Sequence, residues 1–275
     1  MIATLGKPTL LTDKVAIVTG AAQGLGSRSP GLAGPWSERH DGRHRSRQSA
    51  RSGLIAWRQR GRRRRGRMRR HERSRSGTLV QACINRFGTV DVLVNNADVT
   101  RDGYLAKLAE SDFDLVIGVS LKDAWLGTRA VEPHFRAQRS GAIINMPSLS
   151  GKIGNPGQST YSSAKAGLIG LTKSSAKELD PSAVHVNAIQ PGLVRTAMTL
   201  AMKSEIFAAK EAEGPLGRQC HIHTVTPRSA PLSDEPPNWP EWDTGGGPDA
   251  AVFLTSPMAS YINGAVLEVT GGRGM

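Results

Sequence analysis

Five short apolar runs, rich in branched residues, punctuate the chain at residues 14–19, 90–94, 141–146, 184–189 and 265–269. The first stops at Gly20, the second at Asn95-Asn96-Ala97, and the fourth just before Pro191-Gly192. Most are continuous rather than alternating, which predicts strands buried on both faces. Between them the apolar period changes to about 3.6. Phe113, Val116, Ile117, Ser120 and Leu121, then Trp125, Thr128 and Val131, share that spacing across 112–139. Ala164, Leu168, Leu171 and Ala176 share it across 161–179. Strands alternating with helices of this length predict an α/β fold: a parallel sheet, doubly wound, with helices on both faces. Ligands of such sheets bind beyond the carboxyl ends of the strands.

Two stretches break the pattern. Residues 28–77 carry 17 arginines, no lysine and only Glu38, Asp41 and Glu72 as acids, with no sustained period of either kind. Composition predicts a solvated basic arm there. A doubly wound sheet, however, needs a helix, a strand, a helix and another strand in that interval. Suitable length with unsuitable content is what two compensating frame changes in GC-rich coding DNA would produce; a natural basic insertion is the alternative. Residues 218–248 form a weaker anomaly, proline-rich and aperiodic, with Trp239, Trp242 and three consecutive glycines from Gly245. They fit an irregular loop over a substrate, or a second damaged stretch.

Composition changes this picture little. At 275 residues the chain is long enough for one large domain, 1–275. The net charge of +13 belongs to the arginine block, and the remainder is close to neutral. That block lacks interleaved aromatics and any helix-turn-helix or zinc spacing. It would give only salt-sensitive, nonspecific contact with nucleic acid, so a nucleic-acid partner is not expected. Cys83 and Cys220 cannot build a disulfide framework, which points to a reducing, cytoplasmic setting. No signal-peptide pattern is expected in residues 1–13, and no apolar run is long enough to suggest a membrane partner.

Candidate chemistry lies at the strand ends. Thr19-Gly20-Ala21-Ala22-Gln23-Gly24-Leu25-Gly26 directly follows the first strand. Glycines there let the backbone approach a pyrophosphate whose charge rests on the next helix's N-terminus. An ordinary strand-to-helix turn has the same text, and Pro30 discourages a helix beyond its first turn. Tyr161 and Lys165 stand at i and i+4 on the predicted helix, hence on one face. A cation beside a phenol favours phenolate and lowers its pKa from about 10 towards working pH, which would make Tyr161 a usable acid or base. A surface tyrosine–lysine pair has the same spacing. Ser148, just beyond the third strand, can hold a carbonyl oxygen or simply make a turn. Pro191-Gly192, with Thr196 four residues beyond Gly192, follows the fourth strand. Their order at successive strand ends joins these separate signals into one site.

Together these segments resemble the short-chain dehydrogenase/reductase family, in particular its 3-oxoacyl-acyl-carrier-protein reductases. The resemblance rests on Thr19-Gly20-x-x-x-Gly24-x-Gly26, Asn95-Asn96-Ala97, Val99-Thr100-Arg101-Asp102-Gly103, Ser148, Tyr161-x-x-x-Lys165, Val186-Asn187-Ala188-Ile189-x-Pro191-Gly192 and Val269-Thr270-Gly271-Gly272. It covers residues 11–27, 78 to about 213, and 250–275. It implies a Rossmann-type fold and hydride transfer between a nicotinamide and a carbonyl or secondary alcohol, an acyl thioester among them. Tyr161 would donate the proton, Lys165 would lower its pKa and hold the nicotinamide ribose, and Ser148 would polarise the carbonyl. Gly20, Gln23, Gly24, Leu25 and Gly26 would line the cofactor phosphates and adenosine ribose, with Asn96 and Ala97 beside them. Val194 and Thr196 would approach the nicotinamide amide. The resemblance favours NADP over NAD, and a homotetramer or homodimer. Several positions depart from the family. Ser120 stands where a catalytic Asn is usual, Asp98 where Gly is usual and Pro147 where Ser is common. The segment that would choose between the two nucleotides lies inside the arginine block, so the alternative to an active reductase is a catalytically impaired or inactive family member produced by the frame changes.

Overall fold

The computed structural model describes residues 11, 14–20, 54–56, 72–194 and 246–274, with scattered positions between 204 and 215. Its centre is a six-stranded, all-parallel sheet. In chain order the strands are β1 (Ala16–Val18), β2 (Leu54–Ala56), β3 (Val92–Asn95), β4 (Gly141–Asn145), β5 (Val184–Pro191) and β6 (Val266–Val269). Their spatial order is β2-β1-β3-β4-β5-β6. The chain therefore grows from β1 to one side, then crosses back to continue on the other. That reversal is the switch point of a Rossmann-type doubly wound fold, and it opens a crevice at the carboxyl ends of β1 and β3.

The continuous apolar runs have a direct cause here, since alternate residues of each strand serve two cores. Val15, Ile17, Leu93, Ile143 and Val186 point to one face. They pack with Val80 and Cys83 of α1 (Glu72–Phe87), Val131 and Phe135 of α3 (Asp123–Gln138), and Ala176 and Leu179 of α5 (Ser159–Leu179). Ala16, Val18, Val92, Val94, Ala142, Ile144 and Ile189 point to the other face, where Ala251 and Leu254 of α6 (Gly246–Leu254) cover them. Both faces being dry, a strand has no place for a polar repeat.

The structure corrects the expectation for the arginine block in part. Leu54-Ile55-Ala56, an apolar tripeptide inside it, pairs in parallel with β1, Ile17 opposite Ile55. α1 also begins within the block, at Glu72. Backbone pairing needs only a few extended residues, so the segment's composition did not forbid a strand. The rest of residues 28–77, and most of the 218–248 loop, lie outside the described residues.

The helix expected over 112–139 is also interrupted. α2 (Glu110–Ile117) passes through a π turn at Gly118–Lys122 before α3 resumes. The wider turn inserts extra residues and shifts the phase of everything beyond it. Val116 and Val131 are fully buried, while Phe113 and Trp125, on the same expected stripe, are 45% and 43% exposed. A short helix, α4 (Ser150–Ile153), precedes α5. Gly151 lets α4 lie directly on the turn of α5 that bears Lys165, for a Cβ there would sit 2.7 Å from the Lys165 carbonyl carbon. Among the described residues no helix is long and apolar enough to cross a membrane.

Candidate active site

The crevice between β1 and β3 is closed at its base by one threonine. Thr19 Oγ1 accepts hydrogen bonds from the backbone amides of Asn96 and Ala97, both at 3.0 Å. The Asn96 side-chain amide donates in return to the Thr19 carbonyl at 3.0 Å. Gly20, next along β1, has φ +68°, and a Cβ on it would stand 2.7 Å from the Ala97 Cα. Backbone approach this close, at a positive φ, requires glycine. Gly20, Asn96 and Ala97 thus meet where the sequence placed them, while Gln23, Gly24, Leu25, Gly26 and Thr196 lie outside the described residues.

Deeper in the sheet, a polar chain links β3 and β4 to their covering helices. Asn95 Nδ2 donates to Asn145 Oδ1 at 2.8 Å and to Thr128 Oγ1 at 3.3 Å. Asn145 Nδ2 donates to Thr172 Oγ1 at 2.9 Å. All four residues are buried, so each bond replaces water that the core excludes. Sequence reasoning missed this chain, because an asparagine at a strand end looks the same whether it faces solvent or a neighbouring strand.

The second cluster lies one strand further on. Tyr161 and Lys165 do share a face of α5, the ammonium 5.3 Å from the phenol ring centroid. Lys165 is 2% exposed and donates to the Met146 carbonyl, at the end of β4, at 2.8 Å. Ser148, two residues further on, hydrogen-bonds the Tyr161 hydroxyl, and its Oγ also accepts from the Ser150 amide at 3.3 Å. Tyr161, Lys165 and Ser148 are therefore brought together.

A fourth group joins them. Asp98, on the loop after β3, places Oδ2 2.8 Å from Lys165 Nζ and 3.1 Å from the Tyr161 hydroxyl, which donates to it. This reverses the sign expected for Tyr161. Burial pushes the phenol well above its ordinary pKa, the Asp98 charge and the hydrogen bond to it push in the same direction, and Asp102 adds to them. Only the Ser148 hydrogen bond pulls it down. A lysine alone would favour phenolate; here a carboxylate stands between the two.

Ser120 is buried in the π turn, and its Oγ accepts from the Val99 amide at 3.4 Å. It thereby holds the loop that carries Asp98. Pro191 and Gly192 end β5, the Gly192 amide donating to Val269 of β6 at 3.0 Å, and Val194 is buried just beyond. At the β1–β3 crevice, a switch point, Gly20 packs against the Ala97 backbone, and beyond it stand a phenol, a hydroxyl and an ammonium, a donor set that suits a nicotinamide ribose and a carbonyl oxygen. Among the described residues no group of three or more His, Cys, Asp or Glu is placed to hold a metal ion.

Such a sheet, with tyrosine, lysine and serine converging beyond its strand ends, defines an α/β oxidoreductase. Comparison with known proteins makes the class specific. Residues 68–206 match the family model for short chain dehydrogenases. An uncharacterized oxidoreductase of Mycobacterium bovis is 43% identical over 195 residues, covering 71% of this chain and 70% of the relative. The 3-oxoacyl-[acyl-carrier-protein] reductase of Staphylococcus aureus is 37% identical over 197 residues, 72% of this chain and 71% of the relative. That of Thermotoga maritima is 35% identical over 201 residues, 73% of each. The chain belongs to the short-chain dehydrogenase family and is an oxidoreductase, of a family that generally uses NAD or NADP.

Proposed function

We propose that the chain is a nicotinamide-dependent carbonyl reductase, acting on a 3-oxoacyl thioester or a closely related ketone. The observation that carries this is the convergence of Tyr161, Lys165 and Ser148 just beyond β4, next to the β1–β3 crevice. The names of the Staphylococcus and Thermotoga relatives support the substrate class. NADP is preferred to NAD on the same resemblance. A homotetramer or homodimer in the cytoplasm is the assembly and setting that go with it.

Bound nicotinamide would supply the hydride. On the protein side, Ser148 donates a hydrogen bond to the substrate oxygen and fixes the carbonyl. Tyr161 gives its hydroxyl proton to that oxygen as the alcohol forms, and solvent reprotonates it. Lys165, held by the Met146 carbonyl and the Asp98 carboxylate, would offer its remaining N–H to a ribose hydroxyl. Gly20, Asn96 and Ala97, with Gln23, Gly24, Leu25 and Gly26, would hold the adenosine end. Pro191, Gly192, Val194 and Thr196 would border the nicotinamide. Ser120 supports the loop beside the site in place of the usual asparagine.

The test uses the full-length protein with NADPH or NADH and a 3-oxoacyl thioester. Nucleotide fluorescence should saturate on titration, and nucleotide oxidation should match 3-hydroxyacyl product mole for mole. A folded protein that binds neither nucleotide contradicts the proposal.

A further inference from the structure

We infer that Asp98 is an internal ligand of the Tyr161–Lys165 pair, which keeps the phenol protonated and so withholds the phenolate that taking a proton from an alcohol requires. The inference rests on the reading of Tyr161 as the proton-transferring group. One carboxylate oxygen serves both partners, 2.8 Å from the ammonium and 3.1 Å from the phenol. The contact is sheltered, with side-chain exposures of 3% for Lys165 and 18% for Asp98. Two anchors fix the loop on either side of Asp98. The Asn96 and Ala97 amides are tied to Thr19, and the Val99 amide to Ser120. Asp98 is therefore held against α5 by the fold.

Among the described residues, the charged groups facing Tyr161 are Lys165 from its own helix and Asp98 and Asp102 from the loop after β3. From the β4 end come neutral groups, the Ser148 hydroxyl beside Tyr161 and the Met146 carbonyl on Lys165. Asp102 is engaged elsewhere, accepting from Gln158 at 3.1 Å, so Asp98 is the carboxylate in contact. In carbonyl reduction Tyr161 starts as the phenol; its O–H bond breaks and a new O–H forms on the product oxygen. Alcohol oxidation runs the proton the other way and needs phenolate at the outset. A phenolate beside Asp98 would face a like charge and have no proton left to donate to it. Oxidation is thereby confined to high pH, while the acid form is present throughout the neutral range.

The experiment is an NMR titration of the full-length protein labelled at tyrosine Cζ. The chain has three tyrosines, Tyr104, Tyr161 and Tyr261, and a free tyrosine amide in the same buffer serves as the reference. The Tyr161 signal is assigned by its loss in Tyr161→Phe. In the unaltered protein Tyr161 should remain protonated where the reference titrates. In Asp98→Asn and Asp98→Gly its titration should move down by about one pH unit or more. The alkaline limb of alcohol oxidation should move with it, roughly tenfold in rate per unit at a fixed pH below the limb. Asparagine keeps the shape and glycine removes it, so a packing effect would separate the two variants. Tyr161 titrating with the free tyrosine reference in the unaltered protein overturns the inference, and so does an unmoved Tyr161 in either folded variant. If the titration shifts but the unaltered protein turns over no substrate, the reductase reading fails and only the hold of Asp98 on the Tyr161 proton stands.

Discussion

The site turns on single-residue choices, and Gly20 shows this most simply. Its φ of +68° and the 2.7 Å that a Cβ would leave to Ala97 impose two separate costs on any side chain. Left-handed backbone costs an L-residue about 1–2 kcal/mol, and Ala97 would have to move off Thr19. Gly20→Ala should therefore lower unfolding free energy by at least about 1–2 kcal/mol in urea and weaken nucleotide binding at the same time. Unchanged stability would mean that the turn relaxes freely. At this scale the sequence was legible where backbone geometry dictates one residue type. Tyr161, Lys165, Ser148, Gly20 and Asn96 were singled out by their order at successive strand ends and by the family resemblance, since spacing alone fits a surface pair or a turn equally well. The direction of Asp98 could not, since an aspartate after a strand says nothing of which helix its carboxylate will meet. A carboxylate opposite an expected tyrosine–lysine pair was nevertheless the signal available. Nor did spacing reveal that the Met146 carbonyl anchors Lys165.

Between elements, the junction of α1, β1 and β3 combines apolar packing with one charged staple. Asp91, just before β3, accepts from the Val15 amide at 2.8 Å and pairs with Lys14 at 3.0 Å. Cys83 of α1 is fully buried close by. Burial, with a smaller push from Asp91, raises its thiol from 9.0 to about 11. A raised pKa means that the folded state favours the neutral thiol, so its contribution to stability is complete below pH 9.0 and is lost as pH climbs to about 11. Urea unfolding across that window should show a fall in stability that Cys83→Ala reduces. An identical fall in both proteins would place its cause elsewhere. Element boundaries were legible wherever one period held, as in β3, β4 and α5. The π turn at Gly118–Lys122 was not, because nothing in its residues marks the wider turn. Trp125 consequently faces outward, with Arg129 5.3 Å from its ring.

At the scale of the molecule, two halves of the sheet have different origins in the sequence. β3 to β6 follow from apolar runs separated by helices, whereas β2 rests on three residues within an arginine-rich block. Compensating frame changes remain our proposal for that block. The coding DNA, resequenced and translated in the alternative frames across residues 28–71, should then encode a helix–strand–helix pattern. Arginine-rich text in every frame would argue for a natural insertion.

The central claim is that Tyr161 transfers the proton, and its hydroxyl is a single atom that can be removed. Tyr161→Phe and the unaltered protein are to be compared for thioester-dependent NADPH oxidation, with nucleotide binding measured on the same samples. The account predicts turnover lowered roughly a hundredfold or more in Tyr161→Phe, with nucleotide binding retained. Turnover near that of the unaltered protein would contradict it.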